Sequence, residues 1–134
     1  MDLQPAGRDN TDKRIRFAMA IDPAPVDVLD LKSFAGIKIP VAIVNLGRPG
    51  NIPATADASG IAKAVSKASY ATIEDASHYS VFGACKPGAA AIIASEEIGD
   101  PLCDDGGGRS RGEIHAQLID MATAAFTRAL KAGP

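Results

Sequence analysis

Aromatic residues are scarce in this sequence: four Phe, two Tyr and no Trp. Alanine and the aliphatics must therefore build the core, and small side chains remove less apolar area from water. Long apolar runs are missing too. None approaches the ~20 residues of a membrane-spanning helix, so no membrane partner is expected. Met1 to Asp12 is polar and lacks the apolar stretch of a secretory signal, so the sequence holds no evidence of export and leaves the compartment open. Neither sign of charge dominates: the net charge of −2 gives no electrostatic reason to expect nucleic acid or an anionic membrane. The longest basic stretch, Lys13-Arg14-Ile15-Arg16, is interrupted by an apolar residue and reads as the solvated approach to a strand. The only cysteines are Cys85 and Cys103. Their separation matches no zinc or CxxC redox spacing, and a disulfide and two buried thiols are both open. With no phosphate loop, metal cluster or nucleic-acid platform in the sequence, no cofactor is expected.

What is present is enough for one small domain of 134 residues. A chain that is 46% hydrophobic and 22% charged has the composition of a folded protein and not of a disordered tail. A domain of this size buries only about two-thirds of its unfolded surface, so an unfilled sheet edge would matter.

Ile15 to Ile21 is a short apolar run that stops at Asp22-Pro23, the pattern of a buried strand with a polar residue at its C-terminal end. Residues 24–40 are irregular, with a helical turn expected near Leu31 to Phe34. Val41 to Gly47 is a second strand, followed by the Gly/Pro-rich loop Arg48 to Pro53. Thr55 or Asp57 can cap a helix reaching about Lys67, with Ile61, Ala64, Val65 and Ala68 on one face. Tyr70 to Asp75 is a third strand, delivering Ser77-His78-Tyr79 just past its end. Pro87 to Ile98 reads as a helix with Pro87 in its first turn, and Gly99 to Arg109 as a loop. In the last helix Ile114, Leu118, Met121, Ala122, Ala125, Phe126 and Ala129 keep the i, i+3, i+4 rhythm, and Gly133 ends it. Strands alternating with helices predict an α/β fold with about three parallel strands and flanking helices. Three strands are few for an independent α/β domain, and the pattern reads as a fold that begins in the middle.

Three stretches carry a resemblance: "RIRFAMAIDPAPVDVLDLKSFAGIKIPVAIVNLG", "ATIEDASHYSVFGACKP" and "GEIHAQLIDMATAAFTRAL". Together, over about residues 13–131, they resemble the C-terminal half of the predicted dienelactone-hydrolase group of α/β-hydrolases. That group is itself similar to the plasma platelet-activating-factor acetylhydrolases. Residues 1–12 read as a polar leader outside the resemblance, which implies a partial α/β-hydrolase fold over 13–134. In such a family three parallel strands follow the nucleophile elbow, and the triad partners sit on loops at their C-terminal ends. His78 then falls where the catalytic histidine belongs, able to take a proton from a serine hydroxyl and return it to the leaving group. The loop Gly47 to Pro53, where many α/β-hydrolases carry the acid, has no carboxylate. The acetylhydrolase branch places its acid one strand earlier, and Asp22 matches that position. Two plainer uses compete: a loop histidine, and an aspartate that opens a turn before Pro23.

The nucleophile is missing. A G-x-S-x-G elbow must stand on a tight turn between a strand and a helix. The one match, Gly108-Arg109-Ser110-Arg111-Gly112, is preceded by Asp104-Asp105-Gly106-Gly107 and not by a strand. Ser110-Arg111-Gly112-Glu113 instead has the form of an S-x-x-E capping box, which makes Ser110 a helix cap. His115, one turn into that helix, is expected to face solvent, and Glu96-Glu97 to be the solvated end of a helix.

The resemblance therefore implies part of an ester- or lactone-cleaving serine hydrolase that is inactive alone. A complementary N-terminal hydrolase chain would supply the serine. The other reading is a non-catalytic homodimeric relic, paired through the first strand, or a module that binds a small molecule. A truncated gene product fits the same residues. Family members are often exported, which the two cysteines would suit.

Overall fold

The computed structural model describes residues 11–96 and 99–131. Most of the polar leader, the end expected at Gly133, Glu97 and Ile98 lie outside the described residues. Three parallel strands form one sheet in sequential order: β1 (Ala18–Ile21), β2 (Val41–Leu46) and β3 (Ala68–Ile73). Between and after them come α1 (Ser59–Ala64), α2 (Ala89–Ser95) and α3 (Arg111–Lys131), with short 3₁₀ turns at Leu31–Gly36 and His78–Val81. The chain is thus α/β, as the alternation of strand and helix patterns predicts.

The central strand shows why the sheet forms. β2 reads Val-Ala-Ile-Val-Asn-Leu and is buried from Ala42 to Leu46, the near-continuous apolar run of a parallel strand covered on both faces. Alternate side chains serve two cores. On one face Val44, Leu46 and Ile73 pack with Ala76 and with Ile114 and Leu118 of α3. On the other, Ile43 packs with Val26, Ala58, Ile61 and Val65. Ile73 and Ile114 are among the largest fully buried side chains, each removing enough apolar surface to contribute about 1.5–3 kcal/mol. α3 lies across its face of the sheet, with Phe126 meeting Phe17 edge-to-face at 4.8 Å between ring centres.

Several boundaries move. The first strand is shorter than Ile15 to Ile21, because Ile15 is drawn back into a turn on the carbonyl of Asp12 and stays half exposed. The helix expected to reach Lys67 stops at Ala64. Val65 turns extended, and Ala68, expected on the helix face, is already paired with Val41. Register with β2 decides that boundary over helical periodicity. Pro87 stands outside α2, since Gly88 at its N-cap is left-handed at φ 84°. The bridge between Cys85 and Cys103 closes the loop that follows α2 back onto the segment before it, so the two thiols left open by the sequence are a disulfide.

Among the described residues β1 has no neighbour on its outer side. Beside it runs an open apolar cleft of about 750 Å³, lined by Ile15, Ala20, Leu29, Phe34, Ile37 and Ile61 among others.

Candidate functional site

Parallel strands all end on the same side, and loops there can converge on one crevice. Here they bring together three residues from separate strand ends: Asp22 directly after β1, Asn45 near the end of β2, and His78 in the turn after β3.

Asp22 takes a left-handed backbone, φ 44°, with its N–H donating to the Val44 carbonyl at 2.7 Å. Non-glycine residues seldom adopt that conformation, although Asp and Asn tolerate it best. The turn carries the carboxylate inward, where its side chain is only 1% exposed. Oδ1 accepts hydrogen bonds from Leu46 N and Asn45 Nδ2, both at 2.8 Å, and Oδ2 lies 2.6 Å from His78 Nδ1. Every side-chain bond of Asp22 is therefore long-range. A carboxylate serving only a turn before Pro23 would bond to its own neighbours, and this one does not.

His78 is the exposed partner, with 44% of its side chain open. Nδ1 faces Asp22. Nε2 has no hydrogen-bond partner among the described residues. The turn that carries the ring is braced from below. Ser80, fully buried, accepts the Ser77 N–H at 3.0 Å on its hydroxyl, and the Ser77 hydroxyl donates to the Asp104 carbonyl at 3.0 Å. His115 Nε2 lies 2.7 Å from the Ser80 carbonyl and donates to it. His115 therefore does not face solvent as expected. It is half-buried, because α3 packs its N-terminal half against the His78 turn.

Both residues open onto a cleft of about 430 Å³ whose other walls include Leu46, Ile52, Pro53, Ala76, Tyr79 and Pro101. Apart from Asp22 and His78 its lining holds no carboxylate, imidazole, ammonium or guanidinium side chain. Gly47, on its wall, needs its hydrogen: at φ 116° a Cβ would come within 3.3 Å of Ile52 Cγ1. The nearby Asp100 carboxylate raises the Tyr79 phenol's pKa above the usual 10.

Ser110 stands in a capping box. Its hydroxyl donates to Glu113 Oε2 at 2.7 Å and accepts the Glu113 N–H at 3.3 Å, while Glu113 Oε2 accepts the Ser110 N–H at 2.8 Å. Next to it Arg109 clasps both oxygens of Asp75 at 2.6 Å. That contact draws the Asp75 carboxyl below its ordinary range, and the Ser110 bonds do the same for Glu113. The loop is tied down further by Arg111, buried and bonded to Asp105 and to the carbonyls of Gly83 and Leu102. No hydroxyl or thiol among the described residues reaches His78 Nε2. Glu96 is an exposed residue at the end of α2.

Asn45 is absent from the residues that the resemblance picks out, although one polar side chain inside an otherwise apolar buried strand is a visible signal. Among the described residues no group of three or more metal-ligating side chains converges, and no helix is long and apolar enough to cross a membrane. No known family model, no curated protein and no solved structure matches the chain.

Proposed function

We propose that this chain contributes the acid, Asp22, and the general base, His78, of a serine hydrolase, the C-terminal part of an α/β-hydrolase fold. The observation that carries the reading is the pair itself. A buried carboxylate grips Nδ1 of an exposed imidazole at 2.6 Å and leaves Nε2 facing a cleft. That is the arrangement in which an imidazole takes a proton from a hydroxyl while the carboxylate fixes its tautomer and stabilises the imidazolium. The left-handed turn at Asp22 adds support, since a sparsely populated backbone held by surrounding bonds is common where a side chain must be aimed.

The nucleophile comes from a complementary polypeptide that seats its strands against the outer side of β1. The apolar cleft beside that strand is the surface such strands would cover. The chemistry is acyl transfer to water from a small ester or lactone through an acyl-serine. Beyond Asp22 and His78 the lining of this cleft carries no carboxylate, ammonium or guanidinium group, which suits an uncharged ester.

The edge of β1, unpartnered among the described residues, favours one other reading: two copies of this chain paired edge to edge in a non-catalytic dimer, a relic or a small-molecule binder. Treating natively purified protein with a fluorophosphonate probe and reading the intact mass of every chain separates the two. The hydrolase predicts label on a companion polypeptide; a single unlabelled species would overturn it in favour of the dimer.

A further inference from the structure

We infer that Asn45 is the positioning residue of this site: it fixes the Asp22 carboxylate in the orientation that leaves Oδ2 for His78. The inference rests on reading Asp22 and His78 as a catalytic pair and adds a residue that touches neither the imidazole nor the cleft.

Asn45 is completely buried, and all the hydrogen-bonding capacity of its amide is used. Nδ2 donates to Asp22 Oδ1 at 2.8 Å and to the Ala56 carbonyl at 2.7 Å. Oδ1 accepts the Ala58 N–H and the Tyr70 hydroxyl, both at 3.0 Å. The orientation of the amide follows from the partners alone. Flipped, its oxygen would face a carboxylate and a carbonyl, and its NH₂ would face an N–H. Two acceptors on one side and two donors on the other leave a single satisfied arrangement.

The consequence for Asp22 is geometric. A carboxylate rotates about its Cβ–Cγ bond with little resistance, so a lone contact to His78 would not hold it in place. Two donors on Oδ1, from Asn45 Nδ2 and Leu46 N, pin that oxygen and send the other toward the ring. Leu46 N belongs to the β2 backbone, so Asn45 is the side-chain half of the clamp. Through Ala56 and Ala58 it also ties the clamp to the loop whose Thr55 and Ala56 wall the cleft. Tyr70 reaches in from β3 to complete it. Burial, then the nearby Asp57 and Asp22 carboxylates, raise the Tyr70 phenol's pKa, which keeps it a donor.

The test reads the imidazole directly and needs no substrate. In the ¹⁵N-labelled 134-residue chain, held at a pH where the ring is neutral, His78 should carry its proton on Nδ1. That proton should be a protected, far-downfield resonance. Asn45→Ala should lose the resonance and shift the ring nitrogens toward the Nε2–H tautomer. Tyr70→Phe, at a partly exposed position, should keep the tautomer but exchange the Nδ1 proton with water several-fold faster. A folded Asn45→Ala chain with the wild-type His78 spectrum would overturn the inference. If Asn45→Ala does not fold, Tyr70→Phe decides, and an unchanged exchange rate overturns it. A wild-type chain without the Nδ1 proton would overturn the pairing of Asp22 with His78 itself, and with it the reading on which the inference rests.

Discussion

His78 Nδ1 lies 2.6 Å from Asp22 Oδ2, although 56 residues separate the two in the chain. Asp22 is held almost out of reach of solvent while the ring stays nearly half open. Such an asymmetric pair is poorly suited to stabilising a fold, because one partner must be desolvated while the other keeps its water. It is well suited to keeping one ring nitrogen fixed and the other available.

The two members should fail differently. In a preparation whose companion chain is labelled, His78→Ala should abolish labelling, since no base remains to activate the serine. Asp22→Asn should slow it by about 10⁴-fold, the cost of presenting the wrong tautomer in a triad. Rates of probe incorporation check both.

Ser110 should behave as a cap and nothing else. Ser110→Ala removes the hydroxyl that bonds to Glu113 and should cost about 1 kcal/mol in urea unfolding. It should leave any labelling unchanged. The 134-residue chain alone should show no serine-dependent esterase activity, and stoichiometric acylation of Ser110 by an activated ester would contradict this.

Acid should loosen the loop before α3. Arg109 lowers the pKa of Asp75, and the bonds from Ser110 lower that of Glu113. A carboxyl depressed on folding contributes stability above its unfolded pKa and loses it as pH falls through the folded value. In thermal unfolding the contribution of these two carboxyls should therefore be lost as pH falls below about 4. Asp75→Asn should remove part of that loss.

Reduction should act on the same loop. The Cys85–Cys103 bridge spans 18 residues, and opening a loop of that size costs about 3 kcal/mol in the chain-entropy view. A reductant should lower the melting temperature by the same amount as Cys85→Ser with Cys103→Ser. Arg111→Met would further free the loop, because the Asp105, Gly83 and Leu102 contacts go with it.

The α/β class was legible because strand and helix periods alternate plainly along the chain. Asp22 and His78 could be singled out because the resemblance implies triad partners on the loops after parallel strands, and each stands past the end of an expected strand. What the sequence hid was geometric. Ala68 sits in a helical rhythm yet pairs with Val41, because strand register with β2 outweighs local propensity. His115 looks like a surface residue of an amphipathic helix, and only the packing of α3 against the His78 turn turns it inward. Asn45 is one polar letter in an apolar word, and its four hydrogen bonds run to positions 11 to 25 residues away.

The central claim is that Asp22 and His78 serve a serine held on another polypeptide. It is tested most directly by native purification, fluorophosphonate treatment and intact-mass reading, with wild-type and His78→Ala chains side by side. The account predicts one labelled companion chain with the wild type, no label on the 13.7 kDa chain, and no label anywhere with His78→Ala. Full labelling in the His78→Ala preparation, or a lone unlabelled 13.7 kDa species from the wild type, would contradict it.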